Sequence, residues 1–204
     1  MGDGSLIPIS DEQAKLGQDA VKAVSGVAGW FADILGDFPK DLFGLLIGDT
    51  VKAKRIERIE GLWQKTRERL RERAIDPEPP SLKYAIPILE AAADEENEEL
   101  QDLWSRLLAA AMDPNRRDAM RQSFIATVKQ MDPIDVLVLK AVHDHPDEWH
   151  PGAADSLANL LKCSTDEIVV SIDHLSELDC LLTHQYDQPH LKPFGKLLMK
   201  AVSG

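Results

Sequence analysis

The alternation of apolar and polar positions between Glu90 and Val142 sets the frame for the chain. Leu100, Leu103, Trp104, Leu107, Leu108 and Ala111 fall at i, i+3, i+4, i+7, i+8 and i+11, one wide buried face of an α-helix. Asp94 is the N-cap candidate for that helix, and the acidic residues behind it suit the positive end of the helix dipole. Asp113-Pro114 stops it, because proline has no N–H and restrains the residue before it. A second helix carries Phe124, Ile125, Val128 and Met131 on one side. Asp132-Pro133 opens a third, with an aspartate cap and proline at the first helical position.

Upstream, residues 50–74 form one helix, with Ile56, Ile59, Trp63 and Leu70 on a narrow arc. Lys54, Arg55, Arg58, Lys65, Arg69 and Arg73 share a neighbouring arc. That stripe reads either as a solvated helix face with i,i+4 pairs or as a surface for an acidic partner, another subunit or nucleic acid. The acidic run at 94–102 is itself a candidate mate, within the chain or across a dimer. The same run lacks the glycine and alternating spacing of a calcium loop, so helix-start chemistry accounts for it. Asp76-Pro77-Glu78-Pro79-Pro80-Ser81 is a proline-stiffened linker into a helix that begins near residue 82 and bears Tyr84, Ile86, Ile88 and Leu89. Residues 50–131 are expected to be helical throughout, with Trp63 and Trp104 buried.

After Asp132 the pattern changes. A short helix spans Ala154 to Leu161, and Ser164-Thr165-Asp166-Glu167 is a capping box that opens a helix from about Thr165 to Asp179. Leu181 to Tyr186 reads as a strand, Asp187-Gln188-Pro189 turns, and His190-Leu191-Lys192 returns. Pro193-Phe194-Gly195 begins a last helix.

At the other end, Leu16 to Gly48 mixes strong apolar residues, Trp30, Phe31, Leu35 and Phe38 among them, with six glycines. Asp33, Asp37 and Asp41 recur every four residues, with Pro39 between them. A membrane-surface helix carries lysine and arginine on its polar face. This one carries aspartate, so packing on the core is favoured over contact of Trp30, Phe31, Leu35 and Phe38 with a protein partner or a membrane.

The pattern is mostly α: a helical bundle followed by a small domain of helices and a β-ribbon. It divides the chain into a glycine-rich segment at 1–49, a helical domain at 50–131 and a C-terminal domain at 132–204. The formal charge of −12 is uneven, at −5, +3, −3 and −7 over residues 1–49, 50–82, 83–131 and 132–204. The molecule as a whole therefore repels nucleic acid and anionic membranes at long range. Cys163 and Cys180 sit among apolar residues and read as core thiols, not a disulfide. No basic n-region with an apolar h-region opens the chain, and no apolar run reaches the roughly 20 residues that span a bilayer. The expectation is a cytoplasmic protein.

Two resemblances attach to these residues. The acidic loop, then Leu-Gln-Asp-Leu-Trp-Ser-Arg-Leu-Leu-Ala, then Ser-Phe-Ile-x4-Lys-Gln-Met-Asp-Pro-Ile-Asp, resembles the abortive-infection alpha family over roughly Phe38 to Val142. The matching positions are core and capping positions. The resemblance implies a link to phage defence and supplies no catalytic motif. The order of helices, ribbon and helix after Asp132 resembles a winged helix-turn-helix domain, and Leu-Lys-Pro-Phe-Gly-Lys-Leu-Leu is similar to the wing exit of bacterial regulators. Lys192 departs from that pattern, where a capping threonine is usual.

Catalytic constellations are absent from the sequence. It contains no glycine-rich phosphate loop, no G-x-S-x-G and no H-E-x-x-H. His143, Asp144, His145 and His150 have metal-ligating side chains but lie at a helix end and in a proline loop, and His174 with either cysteine reads as core packing. The expectation is no catalytic residue, no metal, no cofactor and no enzyme. Three readings of function stand side by side: an interaction protein of phage defence, a winged-helix DNA-binding regulator, and a membrane-active effector using residues 16–48. The expected partner is a protein, with the chain a homo-oligomer. DNA reading by the winged helix is disfavoured, since the 165–179 helix carries five acidic residues and no lysine or arginine.

Overall fold

A computed structural model describes residues 52–146, 149, 152–182 and 188–203. The readings placed on Trp30, Phe31, Leu35 and Phe38, on His150, and on 183–187 in the strand and turn fall outside the described residues. Helix α1 (Lys52–Glu72) lies beside α2 (Leu82–Asp94) and α3 (Glu98–Met112). Ile59, Leu62, Trp63 and Leu70 of α1 are buried, at the spacing its apolar stripe requires. Thr66 and Ser105 are both fully buried where α1 meets α3. The Thr66 hydroxyl is 2.8 Å from Leu62 O and 3.3 Å from Ser105 O, so the small polar residues are satisfied without opening the contact.

Helix α3 is the centre of the fold. Eleven of its fifteen residues are buried, which makes it a core helix, not a surface one. Trp63 and Trp104 are 7 % and 2 % exposed, as their spacing predicted. The cap of α3 is not Asp94, which is the last residue of α2. Asn97 caps it, its Oδ1 accepting from Glu99 N at 2.9 Å and Leu100 N at 3.3 Å. Asp94 lies three residues too early, and Asn97 in extended conformation aims its amide oxygen at both free N–H groups.

Helicity is not continuous over 50–131. Asp113-Pro114 ends α3 as expected, with Asn115 N donating to Asp113 Oδ1 at 2.9 Å. A 3-10 turn, Arg117–Ala119, then leads to α4 (Gln122–Val128), and Met131 lies beyond that helix although buried. Helix α5 (Pro133–Asp144) starts at the predicted Asp132 cap. It is followed by α6 (Ala153–Leu161), a left-handed turn at Lys162, and α7 (Thr165–Glu177). The Ser164–Glu167 capping box forms as read: Glu167 N donates to Ser164 Oγ at 3.2 Å and Ser164 N to Glu167 Oε2 at 2.8 Å. Helix α7 ends at Glu177, short of Asp179, whose φ of 61° is left-handed. Strand β1 (Leu181–Leu182) pairs antiparallel with β2 (His190–Leu191), Leu181 facing Leu191. Helix α8 (Pro193–Val202) returns onto α3 and α5. Phe124 of α4 meets Phe194 of α8 edge to face at 5.5 Å, so the buried core runs across residue 132 without a break. No helix among the described residues is long and apolar enough to cross a membrane.

Candidate interaction surfaces

The basic stripe and the acidic run meet within one chain. Arg55 Nη2 donates to Asp94 Oδ2 at 3.1 Å, and its Nε lies 2.9 Å from Oδ1. Arg58 donates to Ala93 O at 3.1 Å, at the open carbonyl end of α2, and pairs with Glu96. Arg69 pairs with Asp102, whose second oxygen accepts from Arg106 Nε at 2.7 Å. A dimer built from stripe and run would have to open these pairs. Lys54 and Lys65 carry no ion pair among the described residues.

Arg73 sits in a crowd of like charge. Burial lowers its pKa, and Arg116, Arg106 and Arg69 lower it further, with Asp113 opposing. Arg106 and Arg116 also reach the end of α8, at 3.2 Å from the O of its last residue, Val202, and 2.7 Å from the O of its C-cap, Ser203. They tie α3 and the turn after it to α8 through the carbonyls that a helix C-terminus leaves open. For Asp102, burial alone would raise the pKa, but the hydrogen bond and charge of Arg106, then Arg69, outweigh it and hold the carboxyl below its ordinary value. A carboxyl depressed in the folded state stabilises fully above its unfolded pKa of about 3.9 and loses that contribution as pH falls through the folded value. Asp102→Asn is therefore expected to lower the melting temperature more at pH 7 than at pH 3. Equal losses at both pH values would contradict the pairing.

Between α3, α5 and α8 lies a cavity of about 210 Å³. Leu103, Leu139, Leu198 and Val202 contribute apolar walls, with Arg106 and Lys140 among its charged residues.

The outward side of α7 is acidic and apolar. Asp166, Glu167, Val170, Asp173 and Glu177 are all exposed at offsets 0, 1, 4, 7 and 11, one side of the helix, and Val170 is 68 % exposed. No lysine or arginine occurs in α7. Lys192, after the ribbon, is tied back to the end of α7, at 2.9 Å from Asp179 Oδ1 and 3.3 Å from Ser176 O.

One polar cluster was not anticipated from the sequence. Asp135 is 1 % exposed. Its Oδ1 accepts from Ser171 Oγ at 2.7 Å, and its Oδ2 accepts from Asp132 N at 2.8 Å and lies 2.7 Å from His174 Nδ1. The signal available was faint: Ser171 falls on the buried arc of Ile168, Ile172 and Leu175, a polar residue where an apolar one belongs. His174 thus joins a carboxylate and not a cysteine. Cys180 is buried, its thiol pushed up to about 12 by burial first and then by the charges of Asp179 and Asp135. Cys163 is half-buried and also free. His143 Nε2 lies 3.1 Å from Ser203 Oγ, while the His145 ring stands edge to face with Trp149.

A family model described as abortive infection alpha matches residues 57–201. No curated protein and no solved structure matches the chain.

Proposed function

Because the chain belongs to the abortive infection alpha family, we propose that it serves bacterial phage defence as a non-enzymatic interaction protein working through the outward face of α7. The observation that carries this is the composition of that face: four carboxylates around an exposed valine, with no cation on the helix. A protein surface with an apolar centre and a basic rim complements it in both shape of contact and sign of charge. A second copy of the chain is one such candidate, through Lys54, Lys65 and the exposed Arg67 and Arg71 of α1.

The succession of α5, α6, α7, the ribbon and α8 also supports reading the C-terminal part as a winged helix-turn-helix, which favours a DNA-binding regulator as the second reading. Its charge argues against that use. The second helix of such a motif enters the major groove, and phosphate neutralisation supplies most of the non-specific affinity. Helix α7 occupies that place with carboxylates, and Lys192 is already held by Asp179. A membrane-active role would rest on residues 16–48 and is read by leakage from liposomes.

The test joins a phage-plating assay with a titration. Val170→Lys combined with Glu177→Lys is expected to abolish protection while leaving far-ultraviolet dichroism and melting temperature unchanged. The full wild-type chain is expected not to bind duplex DNA at about 50 mM salt, where counterion release favours binding. Full protection by the charge-reversed variant removes the α7 face from the mechanism. Micromolar binding to DNA promotes the regulator reading. Sedimentation at low and high salt decides whether the partner is a second copy.

A further inference from the structure

We infer that Asp132, Asp135 and His174 bind a divalent first-row transition metal of the zinc class, joining the first turn of α5 to α7. Their ligand atoms all lie within 4.8 Å of one another, the one such grouping of metal-ligating side chains found among the described residues. The donor set is one imidazole nitrogen and two carboxylate oxygens. Imidazole suits zinc, copper, nickel and iron, whereas magnesium and calcium take oxygen ligands alone.

The supporting contacts are those a metal ligand needs. Asp135 is 1 % exposed, and its two oxygens are fixed by Ser171 Oγ and Asp132 N, the outer hydrogen bonds that orient a ligating carboxylate. His174 Nδ1 already faces Asp135 Oδ2 at 2.7 Å across two helices. A cation seated there takes the place of the proton between that nitrogen and oxygen; a neutral imidazole moves this proton to Nε2, and an imidazolium releases it to solvent. The imidazole is part-exposed, so the metal enters from the groove beside α7.

The groove draws cations toward this point. Asp132, Asp135, Asp173 and Glu177 line it, with Ile134 and Val170 as apolar neighbours and no lysine or arginine. A cleft lined by one sign of charge concentrates the opposite ion. Three protein ligands leave at least one coordination position for water.

The experiment uses the full, untagged chain, stripped of metal by a chelator and returned to chelator-free buffer at neutral pH. Zinc is titrated by calorimetry, and cobalt(II) by its visible absorption. One equivalent is expected to bind with micromolar or tighter affinity. Asp132→Asn keeps a good helix cap and is expected to weaken binding by more than the roughly 10–100-fold typical of an outer-shell change. His174→Ala is expected to abolish binding, and Ser171→Ala to cost about tenfold. His145→Ala should bind as wild type, which places the metal away from the His143–His145 stretch. Absence of saturable binding at millimolar zinc overturns the site. So does an unchanged affinity in Asp132→Asn, which decides the matter even if His174→Ala fails to fold.

Discussion

Gly195→Ala is expected to destabilise the chain by about 3 kcal/mol, the upper range for forcing extra volume into a packed site. A Cβ built on Gly195 would stand 2.2 Å from Cys180 O, 3.0 Å from Cys180 C and 3.1 Å from its Cα. All three are backbone atoms, so no side chain can swing aside to relieve the clash. The Cys180 carbonyl is also committed: it accepts from Lys192 N at 3.0 Å, and the residue before Cys180 is the left-handed Asp179. Moving the carbonyl therefore disturbs the turn out of α7 and the entry into α8 together. For a chain of this size the loss corresponds to a fall of about 6–12 °C in melting temperature. Gly61→Ala is the matched control, because nothing lies within 4 Å of its added Cβ inside α1. That change is expected to stabilise by up to about 1 kcal/mol, the helix preference of alanine over glycine. Equal effects at the two positions would show that α8 does not pack on Cys180.

Local chemistry was legible in the sequence and long-range chemistry was not. Ser164-Thr165-Asp166-Glu167 and Asp132-Pro133 each announce a helix start, because the cap, the first turn and the dipole are all within four residues. The buried faces of α1 and α3 follow from periodicity alone. The cap of α3 is ambiguous in the sequence because Asp94 and Asn97 are both capping residues inside one acidic run. Only the end of α2, where Asp94 still belongs to a helix, decides between them. The basic stripe and the acidic run are both visible, but their pairing in one chain depends on α1 lying beside the end of α2 and the start of α3. The Asp135 cluster joins positions 36 and 39 residues apart, a separation that no periodicity reports. Gly195 shows the same gap in another form. A glycine near the start of a helix reads as a weak helix former, and the carbonyl pressed against it comes from a different element.

Trp104→Ala is expected to cost about 3–5 kcal/mol, the range for truncating a large buried aromatic. Trp104 is 2 % exposed and is among the largest fully buried side chains. It stands in the middle of α3, the helix against which α1, α2, α5 and α8 all pack. Removing the indole forfeits its burial from water and leaves a cavity that helices held on several sides cannot collapse to fill. Some of that wall is held by charge as well as by packing: Arg69 pairs with Asp102 two residues before Trp104, and Arg106 two residues after it reaches Val202 O. The cavity should therefore persist, and an apolar void of that kind takes up small aromatic molecules. Urea unfolding is expected to show a lower midpoint with an unchanged slope, since the surface exposed on unfolding stays nearly the same. Added indole should recover part of the loss by binding the folded state alone. An unchanged midpoint would mean that α3 is not the central helix of the fold. A lowered midpoint with no response to indole would mean that the surrounding helices close in after all.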